Sequence, residues 1–407
     1  MIKKTFNYLI FSGLTSIVGF SSTIYLTRAI SPDEFGIIGL FMAIVYILPL
    51  VISFSTIGLV SINKVKMERS GFSDFSNKFL TFGFTNFSLI FILSTITGFF
   101  FKDYWLIFIL LPILAFLMYI SSFHNAELIQ DGKSKTFGSY RLIVALISFL
   151  ITFILISLFN LTWDGRLIAL IVSELSVLII SIFCTFETIK KFVLIYDKEK
   201  YKEFFHFGTP LMIGLGAGWM LNQADNYIVL YFFTLKEVGI YTAAYSVGSV
   251  INTINQAATN AIVPKLYVAF EKKQGHKVIK KLNFYYSLII LCVSFIVGIG
   301  SFWYVPILFG VEYIDSAPIV LLISVAFGFN GIYRTSGGVI AFYKRNLLQM
   351  KLVYISAVLN IIVSILLVSR FGILSPAIGT VVAYMFLAYM SFYYGWKILK
   401  VEERVDE

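Results

Sequence analysis

Residues 31–40 read SPDEFGIIGL and residues 234–243 read TLKEVGIYTA, so that Glu34, Gly36 and Ile37 line up with Glu237, Gly239 and Ile240 at an offset of 203. Each stretch follows a long apolar run, the first from Phe6 and the second from Phe207. The correspondence extends outward. Lys133 pairs with Lys344 at an offset of 211, and Gly165 pairs with Gly372 at 207. All three offsets are close to half of the 407 residues, which reads as an internal duplication.

A helix that crosses the hydrocarbon of a bilayer needs about 20 predominantly apolar residues. Twelve stretches meet that description, near 6–27, 35–62, 79–101, 104–123, 142–159 and 167–186, and again near 207–233, 238–263, 284–304, 317–342, 352–369 and 373–396. The fold class is therefore all-α: a polytopic membrane protein of twelve transmembrane helices in two six-helix lobes. An even number of spans per lobe gives both lobes the same orientation, so their pseudo-two-fold axis runs along the membrane normal, an arrangement that puts a substrate site at the repeat interface. The expected domains are residues 1–186, a cytoplasmic connector at 187–206, a second lobe at 207–396 and a cytoplasmic tail at 397–407. The connector, KKFVLIYDKEKYKEFFH at 190–206, reads as an amphipathic surface segment.

Basic residues alternate from gap to gap. Of 32 Lys and Arg residues, 26 fall in one set of gaps, among them Lys64, Lys133, Lys191, Lys273 and Lys344, whereas the opposite gaps hold only Arg28, Lys102, Arg166, Lys236 and Arg370. Cytoplasmic loops retain Lys and Arg, so both termini are expected in the cytoplasm. The net charge of +10 belongs to short loops at membrane boundaries, where it matches anionic lipid head groups and argues against nucleic acid as a partner. Charged residues make up only 13% of the chain against 58% hydrophobic, which excludes a water-soluble globule. The apolar run at 6–26 is too long for a signal-peptide core and reads as a retained first span. Cys184, Cys292, His124, His206 and His276 lack the spacing of a metal site or of a nucleophile with its base, so they read as packed thiols and solvated imidazoles, and no metal or cofactor is expected.

Polar residues inside the spans fall on stripes. Ser12, Ser16, Gly19, Thr23 and Thr27 share a face of the first span; Trp219, Asn222, Asp225 and Asn226 share one in the seventh; Ser249, Asn252, Gln256 and Asn260 share one in the eighth. Such faces avoid lipid and pack on a helix or line a hydrated cavity. Gly214, Gly216 and Gly218 read as a close helix contact or a kink, not as a nucleotide fingerprint, because no strand precedes them. Asp225, Glu174 and Arg334 are ionisable residues inside spans, each costing about 2.5–3.5 kcal/mol at the bilayer centre and each therefore a candidate for function. Arg28 sits just beyond the first span.

The stretches LTRAISPDEFGIIGLF (26–41), GTPLMIGLGAGWMLNQADNYIVLYFFTLKEVGIYTAAYSVGSV (208–250) and SRFGILSPAIGTVVAY (369–384) resemble the polysaccharide-transporter family, specifically the Wzx-type O-antigen flippases of the multidrug/oligosaccharidyl-lipid/polysaccharide exporter superfamily. The resemblance spans essentially the whole chain. It implies two lobes that open alternately to either side of a bacterial inner membrane, with a central cavity lined by the first, second, seventh and eighth spans. It further implies an undecaprenyl-diphosphate-linked oligosaccharide as cargo, carried from the cytoplasmic to the periplasmic leaflet, and a polysaccharide polymerase and chain-length regulator as neighbours in the pathway. Arg28 and Arg334 would then meet the diphosphate, and Asn222, Asp225, Asn226, Asn252 and Gln256 would line its route. The related lipid II flippases carry two more C-terminal helices and more cavity arginines, so a surface-polysaccharide unit is the better expectation.

No nucleotide-binding segment appears in the sequence. A proton or sodium gradient acting on Asp225 or Glu174 is one source of drive. Two other functions compete. An ion-coupled multidrug exporter of the same superfamily suits Trp219 and Asp225 but not Arg28 and Arg334; a membrane-embedded polymerase needs large outer loops, and the longest outer gap is 305–316. A transporter, not an enzyme, is the expectation.

Overall fold

The computed structural model describes residues 2–271 and 275–404, and among them it contains helices and connecting turns but no strand. The helices are α1 (Ile2–Ala29), α2 (Pro32–Ile52), α3 (Ile57–Lys66), α4 (Arg69–Gly98), α5 (Trp105–Gln130), α6 (Ser134–Phe159), α7 (Trp163–Cys184) and α8 (Glu187–Lys190). They continue with α9 (Lys198–Phe232), α10 (Leu235–Gly248), α11 (Val250–Glu271), α12 (Gly275–Phe309), α13 (Ala317–Phe342), α14 (Asn346–Phe371) and α15 (Ser375–Arg404). This is a multi-pass membrane protein. Ten runs among the described residues are long and apolar enough to cross a bilayer, against the twelve expected.

The difference has local causes. The last of the ten runs, Asn346–Val401, contains both α14 and α15. The expected eighth span, 238–263, is split into α10 and α11 and rich in amides, so it does not count as one apolar helix. The expected second span, 35–62, still counts through α2 alone, but its end is split off as α3 where Phe54 and Ser55 turn left-handed at φ 50° and 56°. That turn is held by Ser55 N–H donating to the Leu50 carbonyl at 2.8 Å and by the Asn86 side-chain amide donating to the Ile52 carbonyl at 2.9 Å. Orphan carbonyls at a helix end are satisfied that way where no water reaches them.

The chain forms two compact units, one comprising residues up to Ile30 with Leu40–Gly216, the other Ser31–Gly39 with the residues from Ala217 onward. The first has an aromatic core: Phe75, Phe79, Phe82 and Phe123 are buried with Phe186 and Phe204, and Phe79 lies 5.6 Å from Phe204 and 5.8 Å from Phe123, centroid to centroid. At the start of α9, Asp197 accepts from the backbone N–H groups of Glu199 and Lys200 at 3.0 and 3.1 Å and pairs with Lys78 at 3.0 Å. The backbone N–H of Lys200, followed by Lys78, holds its carboxyl below the ordinary value.

The second unit packs on small residues, as helices do when lipid and core are equally apolar. Ala326, Ala357 and Ala383 are fully buried between α13, α14 and α15. The repeated stretches that opened the sequence meet here. Ser31 and Glu34 cap α2 reciprocally: the Ser31 N–H donates to Glu34 Oε2 at 3.0 Å and the Glu34 N–H to Ser31 Oγ at 3.3 Å. Thr234 and Glu237 form the same capping box on α10. The two capped ends cross at their glycines. A Cβ on Gly36 would overlap the Leu235 carbonyl oxygen, and one on Gly239 would overlap that of Pro32.

Candidate functional site

Asp225 lies in α9 and is 1% exposed, with its carboxylate surrounded by three donors from three other helices. Tyr241 of α10 and Thr380 of α15 donate hydroxyls to Oδ2 at 2.7 Å each, and Asn360 of α14 donates its amide to Oδ1 at 3.1 Å. The sequence builds this locally. Ser356, Asn360 and Ser364 recur at helical spacing on α14 and are fully buried, which turns one stripe of an otherwise apolar helix inward. Gly379 lets α15 approach that stripe, since a Cβ there would fall on Ser364 and Asn360. Thr380 is thereby brought within reach of Asp225. No cation pairs with Asp225 among the described residues; hydrogen bonds alone compensate it, each worth about 1.5–3 kcal/mol if the acceptor is charged.

One turn earlier on α9, Asn222 accepts from Tyr384 at 2.7 Å and from Tyr245 at 3.3 Å. Asn226 donates to the Gly39 carbonyl at 3.5 Å, and its buried Oδ1 has no hydrogen-bond partner. The α9 stripe therefore does gather Asn222, Asp225 and Asn226, with Trp219 only partly buried.

Arg334, in α13, is half-buried and held by two amides: its Nε donates to Asn330 Oδ1 at 2.8 Å and its Nη2 to Asn252 Oδ1 at 3.0 Å. Both partners are neutral, so the guanidinium is positioned without being neutralised. Of the α11 stripe, Asn252 reaches Arg334, whereas Gln256 and Asn260 are exposed and Ser249 is partly buried. Arg28 is exposed in the last turn of α1. On α1, Ser12, Ser16 and Gly19 are exposed, Thr23 is partly buried and Thr27 is buried.

Glu174 belongs to the other unit, apart from Asp225. It lines a cavity of about 640 Å³ together with Ser121, Arg141, Ser148 and Arg166, and Ser121 donates to its Oε2 at 2.9 Å. Arg166 donates to Ser148 and Thr152 at 2.9 and 3.0 Å.

Several sequence expectations are corrected. Cys184 and Cys292 are exposed, not packed; a small thiol loses little by leaving the core, and Cys184 lines a cavity at the end of α7. His124 is 3% exposed, not solvated: Phe186 stacks on it at 4.2 Å and its Nε2 bonds Thr185 Oγ1 at 3.0 Å. His206 is exposed, as expected, and His276 lies among residues whose side chains are outside the described set. Gly216 and Gly218 make no close helix contact, for a Cβ on either would meet nothing within 4 Å. No group of three or more His, Cys, Asp or Glu residues suited to a metal ion occurs among the described residues.

The sequence reading missed Tyr241, Asn330, Asn360, Thr380 and Tyr384. A lone amide in an apolar span flanked by serines four residues away, as at Asn360, was the available signal.

A family profile described as "Polysaccharide biosynthesis protein" matches residues 25–318. An uncharacterised membrane protein of Methanocaldococcus jannaschii is 22% identical over 68% of this chain and 56% of its own length. The probable low-salt glycan biosynthesis flippase Agl15 of Haloferax volcanii is 22% identical over 45% of this chain and 39% of its own. The chain thus spans about half the length, or less, of the curated relatives it matches. Among solved structures, an inward-facing multidrug resistance MATE transporter of the MOP superfamily superimposes with a TM-score of 0.76 at 14% identity, covering 97% of this chain and 96% of that one. The lipid II flippase MurJ in an inward closed conformation gives 0.75 at 14% identity, covering 98% and 90%. The fold is thus the one these two transporters share, and the match over residues 25–318 makes the chain a member of the polysaccharide biosynthesis protein family.

Proposed function

We propose that this chain is a flippase that moves an undecaprenyl-diphosphate-linked oligosaccharide, the repeat unit of O-antigen or a similar surface polysaccharide, from the cytoplasmic to the periplasmic leaflet of a bacterial inner membrane. Both termini are assigned to the cytoplasm, and the polymerase and chain-length regulator of the pathway act after it. The observation that carries the reading is Arg334, a guanidinium inside an apolar helix whose bonded partners, Asn330 and Asn252, are neutral amides. A charge kept at such a depth is expensive, and its use is to meet an anion.

A polyprenyl tail is at home in hydrocarbon, whereas a diphosphate and its sugars lose hydration there at a cost of several kcal/mol per polar group. Arg334 and the amides Asn222, Asn226, Asn252 and Gln256 of the second unit replace part of that hydration, and Arg28 of the first unit is the other cationic candidate. Asp225 is assigned to coupling. Its carboxylate accepts from two hydroxyls and an amide N–H; a proton or a sodium ion taken up by that carboxylate competes with those donors, and its exchange biases one state over the other. Glu174 is the second coupling candidate.

The test is surface polymer, normalised to the amount of inserted protein. Arg334→Ala abolishes it, Arg334→Lys retains part of it, and accessibility of a cysteine at position 334 reports on water. Full polymer display by Arg334→Ala refutes the assignment. Resistance to cationic drugs conferred by the chain, without polymer loss in its absence, would favour a multidrug exporter.

A further inference from the structure

The first unit contains a second cavity, of about 870 Å³, where the end of α3, the start of α4, the end of α5 and the segment around α8 come together. Four cations line it, Lys64, Arg69, Lys133 and Lys191, against two carboxylates, Glu127 and Asp131, so the lining carries two positive charges in excess. The carboxylates are engaged on one side: Lys64 lies 3.4 Å from Glu127 and 3.8 Å from Asp131, and Lys133 lies 3.5 Å from Asp131. Among the described residues no ion pair involves Lys191.

Two further features suit an anion with several acceptor oxygens. The first turn of α4, a helix of 30 residues, faces the cavity with Ser70 and Ser73, and its N-terminal amides receive no side-chain cap from Glu68. Uncapped amides at such an end bind phosphate and similar anions. The second is His124, 3% exposed and lining the cavity, whose Nδ1 has no hydrogen-bond partner and stands 3.6 Å from Glu127 Oε2. A buried ring nitrogen left in that state is what an additional ligand or its hydrating water satisfies.

We infer that this cavity binds a phosphate group, presented either by a soluble phosphate or diphosphate or by the head group of a phospholipid. A phosphate offers three strong acceptors to the α4 amides, the Ser70 and Ser73 hydroxyls and the guanidinium of Arg69, and its charge offsets the excess of the lining. Nothing in this assignment depends on the cargo proposed above.

The full chain is reconstituted in phosphatidylcholine nanodiscs and titrated with inorganic pyrophosphate, with thermal unfolding and equilibrium binding as readouts. In parallel, discs containing phosphatidic acid are compared with pure phosphatidylcholine discs. A soluble source gives saturable pyrophosphate binding in phosphatidylcholine. A lipid source gives a higher unfolding temperature in phosphatidic acid discs. In either case Arg69→Gln with Lys191→Gln weakens the effect by at least about tenfold, while Lys344→Gln with Lys351→Gln leaves it unchanged. Ser70→Asp separates binding from folding, since an acid at a helix N-terminus stabilises the helix but repels phosphate: the ligand-free protein unfolds no earlier than the parent and loses the response. Absence of a response in both arms overturns the inference. So does an equal loss in the Lys344/Lys351 variant, or a response that survives Ser70→Asp.

Discussion

Replacing Asp225 by Leu removes the acceptor of three donors at once, and the structure says which of them suffers. Thr380 keeps a second acceptor, the Pro376 carbonyl at 3.1 Å, and Asn360 retains the Leu221 carbonyl at 3.5 Å. Tyr241, fully buried, has no carbonyl of that kind to turn to, only the Thr380 hydroxyl that shares Oδ2 with it. An orphaned buried hydroxyl costs about 1–3 kcal/mol, whereas deleting that hydroxyl together with its acceptor is nearly neutral. Tyr241→Phe is therefore expected to destabilise the parent by about 1.5–3 kcal/mol, the range for a hydrogen bond to a charged group, and to be neutral or stabilising by about 1–3 kcal/mol in the Asp225→Leu background. That difference between the two backgrounds is independent of what Asp225→Leu does by itself. The assay is the apparent unfolding temperature of purified protein in detergent for the four members of the cycle, followed by loss of the monodisperse peak on gel filtration. If Tyr241→Phe has the same sign and size in both backgrounds, Tyr241 and Asp225 are not coupled and the reading of the cluster is refuted.

Gly36→Ala and Gly239→Ala each place a methyl group on a backbone carbonyl that no rotamer change can move, so each is expected to destabilise by about 1–3 kcal/mol in the same unfolding assay, while Gly216→Ala, facing open space, is expected to stabilise by about 0.5–1 kcal/mol through helix propensity. The carboxyl of Asp197 is held below its ordinary value of 3.8, so its contribution to the start of α9 is present above that pH and is lost as the pH falls through the depressed folded value. Amide exchange at Glu199 and Lys200, measured in that acidic window and corrected for intrinsic rates, should accelerate in the parent and be already fast at neutral pH in Asp197→Ala. Cys184, exposed at the end of α7 and lining the 870 Å³ cavity, should react with a water-soluble maleimide in the native state; protection until unfolding would contradict its exposure.

The helical class was legible because it leaves a periodic trace. Apolar runs repeat at the thickness of a bilayer, and Glu34 and Gly36 recur as Glu237 and Gly239. The number of spans was less legible, since a helix can break inside a run: Phe54 and Ser55 turn left-handed without a Gly or Asn to announce it. Asp225 stood out as a charge in an apolar setting, but its partners did not. Tyr241, Asn360 and Thr380 come from three helices distant in sequence, and a tyrosine or threonine in a span is ordinary until a carboxylate is found beside it. His124 misled for a related reason. In sequence it stands where an apolar span runs out toward a basic loop, whereas its burial depends on Phe186, which the chain brings over the ring just after α7.

The crossing of the two capped helix ends carries a historical consequence. Gly36 touches Leu235 and Gly239, and Gly239 touches Pro32 and Gly36; because Leu235 is the counterpart of Pro32, exchanging the two halves of the list returns the same list. Self-complementary contact of that sort is the mark of an isologous interface between identical subunits. It is what a half-length ancestor would have used to pair with its own copy before the two genes became one reading frame. On such a history Pro32 and Leu235, which contribute only backbone carbonyls, would be free to differ, while the two glycines share one steric constraint. Among relatives, a larger residue at either glycine should then occur only with a compensating change across the crossing, and independent variation at the two positions would argue against common descent of the contact.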